Sequence, residues 1–142
     1  MKNNFVELYK NIQSDKNISP KMFFKLGTVH TARGTSSSGF QEIGNIVYEL
    51  SNINQTKSFS IIVFPRYIYN EKTNLIDDVI EDDDKEILEF TKVDKWTMID
   101  LKELFKLAIE NDIQLSKDIN YYIEKYDAII IPSTTKYSTK DY

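Results

Sequence analysis

The chain has 142 residues, a formal charge of −4 from 22 acids and 18 bases, no cysteine and a single histidine. This composition excludes disulfides, thiolate metal sites and cysteine nucleophiles, and any Ser-His-Asp triad has to pass through His30. A zinc site built around one histidine would need carboxylates for most of its ligands, so no metal ligand set, catalytic residue or cofactor is assigned.

A hydrophobic fraction of 41% and an aromatic fraction of 13% describe an ordinary core, and a chain of this length buries about 68% of its unfolded surface. No apolar run approaches the roughly 18 residues of a membrane helix, and the opening M-K-N-N-F-V-E-L-Y-K does not read as a secretory signal. A cytoplasmic protein is therefore expected, with no membrane partner. The net charge disfavours duplex nucleic acid, though it leaves room for a local basic patch.

In chain order, Phe5, Leu8 and Ile12 predict a helix over 4–13. Ser19-Pro20 then predicts a short helix carrying Met22, Phe23 and Leu26, with Gly27 as its C-terminal cap. A strand over 25–31 is the alternative for the end of this segment. Residues 28–38 show no periodicity, and a loop of that length inside a domain is more often functional than filler. Phe40, Ile43, Val47 and Leu50 predict a helix over 39–52, capped by Ser38 with Gln41 three residues on. Gly44 within it marks a close packing contact.

The apolar run F-S-I-I-V-F over 59–64 predicts a central strand buried on both faces, ended by Pro65. Strands over 75–80 and 86–93 follow, with E-D-D-D-K as a turn between them. Asp100 and Glu103 form a second capping box ahead of Leu101, Leu104, Phe105 and Ala108. Ser116 caps a helix bearing Ile119, Tyr122 and Ile123, and 128–131 is a short buried strand stopped by Pro132. The expected fold is α/β, with α+β as the alternative. It comprises one domain over 1–131, a mixed sheet of about four strands flanked by helices, and a frayed polar tail over 132–142.

The strongest chemical signal is the loop from His30 to Gly39. Arg33 supplies a planar donor fork, Ser36, Ser37 and Ser38 supply hydroxyls, and Gly34 and Gly39 let the backbone turn. Free N–H groups of Gly39 and Phe40 at a helix start would suit an anion. The spacing is neither that of a Walker A loop nor G-x-G-x-x-G. The expected ligand is a phosphate-bearing small molecule such as a nucleotide. The run Asp77, Asp78, Glu81 to Asp84 lacks calcium-loop spacing and reads as a solvated, self-repelling face.

Two further readings stay open. The order helix (39–52), three strands (58–69, 75–80, 86–93), helix (100–111), strand (127–131) resembles the αβββαβ core of PD-(D/E)XK nucleases. Glu42 or Glu49, Asp77 or Asp78, and Glu89 with Lys92 stand in the places of that family's acids and lysine, with two residues between Glu89 and Lys92. The resemblance implies a metal-dependent nuclease or an inactive relative. The other reading is an acidic inhibitor or adaptor. It would meet a protein partner, or a second copy, through a tyrosine-rich surface formed by Tyr67, Tyr69, Tyr121, Tyr122, Tyr126, Tyr137 and Tyr142 with Trp96.

Overall fold

Three helices precede the first strand, and the remaining helices and strands are interspersed after it, in the mixed α/β class expected of the chain. The computed structural model describes residues 2–14, 21–79, 85–89 and 91–136. By its internal packing the chain divides into two compact units, Met1–Ser60 and Ile61–Tyr142.

The first unit holds α1 (Lys2–Ser14), α2 (Thr28–Thr31) and α3 (Ile43–Ile53). Phe5 is the buried residue of α1, and Phe24 meets it edge-on at 5.4 Å between ring centroids. The short helix expected around Met22 and Phe23 does not form. Residues 21–27 have no regular secondary structure, and burial alternates along them. Met22, Phe24 and Leu26 turn inward while Lys21, Phe23 and Lys25 turn outward, the period of an extended chain rather than a helix. Gly27 is consequently the residue before α2 rather than a C-terminal cap. The alternative strand over 25–31 fails as well, because Thr28–Thr31 is a helical turn.

The second unit holds β1 (Ile61–Val63), β2 (Tyr67–Asn70), β3 (Leu75–Asp78), α4 (Lys85–Leu88), β4 (Thr97–Asp100), α5 (Leu101–Glu110), α6 (Lys117–Lys125), β5 (Ala128–Ile131) and β6 (Thr135–Lys136). The strands form two mixed three-stranded sheets, ordered β1-β5-β4 and β3-β2-β6. Register connects them. Ile61 stands opposite Ala128 in the parallel β1–β5 pair, and Ile68 stands opposite Thr135 in the parallel β2–β6 pair. The offset is the same, so β1 with β2 and β5 with β6 read as two long parallel strands, each interrupted once. Carrying the register through the interruption sets Pro65 level with Pro132. Neither proline has an N–H to give the ladder, so both strands break at the same height. β6 also extends the sheet into the segment predicted to be a frayed tail, and residues 137–142 lie outside the described ones.

The strand 59–64 is not the centre of the sheet. β1 is a single edge of its sheet, and β5 is the middle strand. Its apolar residues divide between two faces: Ile62 is 2% exposed, whereas Val63 is 51% exposed. Ile62, Ile129 and Ile99 share a register row on the inner face, and Val63, Ile130 and Met98 share one on the outer face. The core of the unit gathers on the inner side around Ile129, Ile131 and Leu101, where α5 packs against β4, β5 and α6. Asp100 caps α5 as its sequence predicts, accepting from the N–H groups of Lys102 and Glu103 at 3.0 Å. Ser116 caps α6 through the Ile119 N–H at 3.3 Å.

Candidate functional site

The loop 30–39 is held from below by α3. At Gly44 the helix comes so close to residues 31–32 that a β-carbon there would lie 2.2 Å from the Thr31 carbonyl oxygen. Only glycine permits that approach. The next residue, buried Asn45, accepts from the Gly34 N–H at 2.8 Å and donates to Glu49 Oε1 at 2.9 Å. Gly34 itself has φ +62, a conformation for which glycine is the default residue. Between these two anchors Arg33 lays its guanidinium over the Tyr48 ring, 5.4 Å from the centroid. Burial pushes its pKa below the ordinary value, an effect that the neighbouring Tyr48 opposes.

Residues 35–41 close on themselves. Thr35 and Gln41 form an isolated antiparallel bridge, the Ser36 N–H donates to the Phe40 carbonyl at 2.9 Å, and the Gly39 N–H donates to the Ser36 carbonyl at 2.9 Å. Ser36 is buried and its hydroxyl lies 2.7 Å from that of Ser38; Ser37, Ser38 and Gly39 are exposed. This turn replaces the helix start expected at Gly39. α3 begins at Ile43 with Glu42 in the cap position and no side-chain capping bond. Ser38 and Gln41 therefore form no capping box, and the Gly39 N–H is spent inside the turn. Phe40, expected on the inner helical face, is exposed. The physical reason is that Gly39 takes φ +82, which bends the chain back before a helix can begin.

His30 lies in α2, its Nδ1 3.5 Å from Glu42 Oε2, a contact that becomes an ion pair when the imidazole is protonated. Lys2 Nζ approaches the same carboxylate at 4.0 Å and donates to the Gln41 carbonyl. The structure thus ties residues 31–34 to α3 through Gly44, Asn45 and Tyr48, and sets His30 against Glu42. It closes Ser36, Ser37, Ser38 and Gly39 into a turn in which the Ser36 and Gly39 N–H groups meet backbone carbonyls and the Ser36 and Ser38 hydroxyls meet each other. Sequence reading missed Asn45, Tyr48 and, as a partner of His30, Glu42. Asparagine is a poor residue for a helix interior, and its place within a strongly apolar-periodic helix was the available signal.

Apart from Glu42 and Glu49 of the first unit, the second unit holds the residues named for the other readings. The described residues of 86–93 do not form a strand: Lys85–Leu88 is a helical turn, Glu89 is in a turn, and Thr91 and Lys92 are without regular structure. The sheet's next strand is β4, so Glu89 and Lys92 do not stand on a strand as the nuclease resemblance requires. Asp77 accepts from Asn70 Nδ2 at 3.0 Å, and Asp78 takes the Arg66 guanidinium at 2.9 Å. Glu81 to Asp84 lie outside the described residues. Among the described residues no group of three or more His, Asp or Glu is placed to hold a metal ion, and no helix is long and apolar enough to cross a membrane.

Of the residues expected to form a tyrosine-rich surface, Tyr69, Tyr121 and Tyr122 are half-buried and Trp96 is exposed. Tyr67 and Tyr126 are buried, and Phe64, Tyr121 and Tyr126 all meet the Tyr122 ring, with Phe64 edge-on at 5.3 Å. Tyr137 and Tyr142 lie outside the described residues. A shallow, open depression lined by Glu86, Ile113, Leu115, Ser116 and Ile119 includes none of the candidate site residues. Comparison with protein-family models, with curated proteins and with solved structures finds no match for this chain.

Proposed function

We propose that the chain is a binding module for a phosphate-bearing small molecule, such as a nucleotide, and that Arg33 takes the anionic group. The observation that carries this reading is the setting of Arg33. Its guanidinium carbon lies over the Tyr48 ring, 5.4 Å from the centroid, a cation–π contact that restrains the side chain, and burial disfavours its charge. An anion seated on that fork relieves the disfavoured charge and meets a donor pair whose orientation is already restricted. His30 and the exposed Ser37 hydroxyl flank it on the same loop. In the turn over 36–40 the Ser36 and Gly39 N–H groups already hold backbone carbonyls, so neither is counted toward the anion.

The test is thermal unfolding with inorganic phosphate and, separately, with ATP. Either should raise the wild-type melting temperature by mass action. Arg33→Ala should remove that rise, and Arg33→Lys should restore part of it, since lysine keeps the charge but not the fork. A rise that persists in Arg33→Ala would end the assignment.

A further inference from the structure

The segment 21–27 presents a second feature, independent of Arg33. It has no regular secondary structure, pairs with no strand, and alternates in exposure residue by residue, the period of an extended chain. Its inner side is anchored by Phe24 against Phe5. Its outer side is Lys21, Phe23 and Lys25, and Phe23 is 92% exposed. The unit that carries it, residues 1–60, holds seven of the 18 bases but only four of the 22 acids, so it is positive within an acidic chain.

We infer that this Lys-Phe-Lys face binds single-stranded nucleic acid, with Phe23 stacking on a base and Lys21 and Lys25 taking the phosphates on either side. Four residues of strand-like chain span roughly 13 Å at about 3.3 Å per residue, the reach from Lys21 to Lys25 that this alternation implies, with Phe23 midway in sequence. An anchored aromatic flanked by cations is the combination that strand-tracking proteins use, because every base has a π-face and every linkage a charge. A duplex keeps its base faces stacked inside and offers only the charges. An anionic membrane is the poorer fit, since peripheral anchors bury the whole apolar face of a helix, and here one ring stands on a non-helical segment.

Fluorescence anisotropy with fluorescein-labelled oligo(dT) and oligo(U) at low salt tests this. The wild-type chain should bind at least one of them, and more tightly than a duplex of equal length. Phe23→Ala should weaken binding about 5- to 150-fold, the span of one lost base–aromatic stack, while Phe23→Trp should retain it. Lys21→Gln with Lys25→Gln should flatten the slope of log affinity against log salt by about 0.7 per lysine. This second variant keeps the proposal testable should Phe23→Ala lose its fold. Absence of wild-type binding, equal affinity for duplex, no effect of Phe23→Ala, an unchanged salt slope, or stronger binding to phosphatidylserine vesicles would each overturn it. Arg33→Ala should leave oligonucleotide binding in place, which separates this face from the loop 30–39.

Discussion

A β-carbon added at Gly44 would stand 2.2 Å from the carbonyl oxygen of Thr31 and 2.3 Å from its carbonyl carbon. Both atoms are backbone, so neither can swing aside, and the loop that carries Arg33 is seated on the helix at that point. Gly44→Ala should destabilise the chain by about 1–3 kcal/mol through overpacking, even though alanine improves helix propensity by about 1 kcal/mol. Gly39→Ala offers the contrast. Nothing lies within 4 Å of a β-carbon there, but φ is +82, so its cost is conformational, about 1–2 kcal/mol, and Gly39→Asn should recover part of it. Urea unfolding of the three variants distinguishes the two mechanisms.

Tyr48 should matter to the anion site without touching the anion. Tyr48→Leu keeps an apolar contact but removes the ring face beneath Arg33. Phosphate affinity should fall by about 0.5–2 kcal/mol, the range of a cation–π contact. Titration calorimetry with inorganic phosphate measures it, and an unchanged affinity would show that the ring does not organise the fork.

In the second unit the two faces of β1 should respond differently. Ile62→Ala should cost about 2–5 kcal/mol, because Ile62 is 2% exposed and sits in the row of Ile129 and Ile99. Val63→Ala, on the open face, should stay within about 0.5 kcal/mol. Equal losses at the two positions would mean that both faces of the strand are covered.

The two predicted capping boxes should also separate. Asp100 accepts two helix N–H groups, so Asp100→Ala should cost about 1 kcal/mol. Ser38→Ala should show no loss of helix capping, since Ser38 bonds to Ser36 rather than to α3. Guanidinium unfolding of both variants, followed by far-UV circular dichroism, tests the pair.

Arg66 lies between Asp78 and Thr91 and over the Tyr67 ring. Its hydrogen bond to Asp78 holds its pKa above the ordinary value, against the smaller effect of burial. A base raised on folding contributes stability that is fully present below its unfolded pKa and lost only as pH climbs past the folded one. For an arginine both values lie far above neutrality. Arg66→Met should therefore lower the stability curve by a nearly constant amount, about 1 kcal/mol, from about pH 6 to pH 9. A loss that changed steeply across that interval would point to another titrating group.

Local features were legible in the sequence wherever neighbouring residues decide them. Asp100 and Ser116 cap their helices because a cap needs only a side-chain oxygen and the next turn's N–H groups. Pro65 and Pro132 end their strands because the missing N–H is a property of the residue itself, and Gly44 announced a close approach before the approaching backbone was known. Tertiary structure decided the rest. Phe59 to Phe64 reads as a doubly buried strand, yet burial depends on which neighbours the sheet supplies, and β5 rather than β1 received neighbours on both edges. Ser38 reads as a cap, but a positive φ at Gly39 closed a turn first and moved the helix start to Ile43. Phe23 reads as a core residue of a helix. Once the inner side of 21–27 was taken by Phe24 against Phe5, the two-residue period of an extended chain turned Phe23 outward between two lysines.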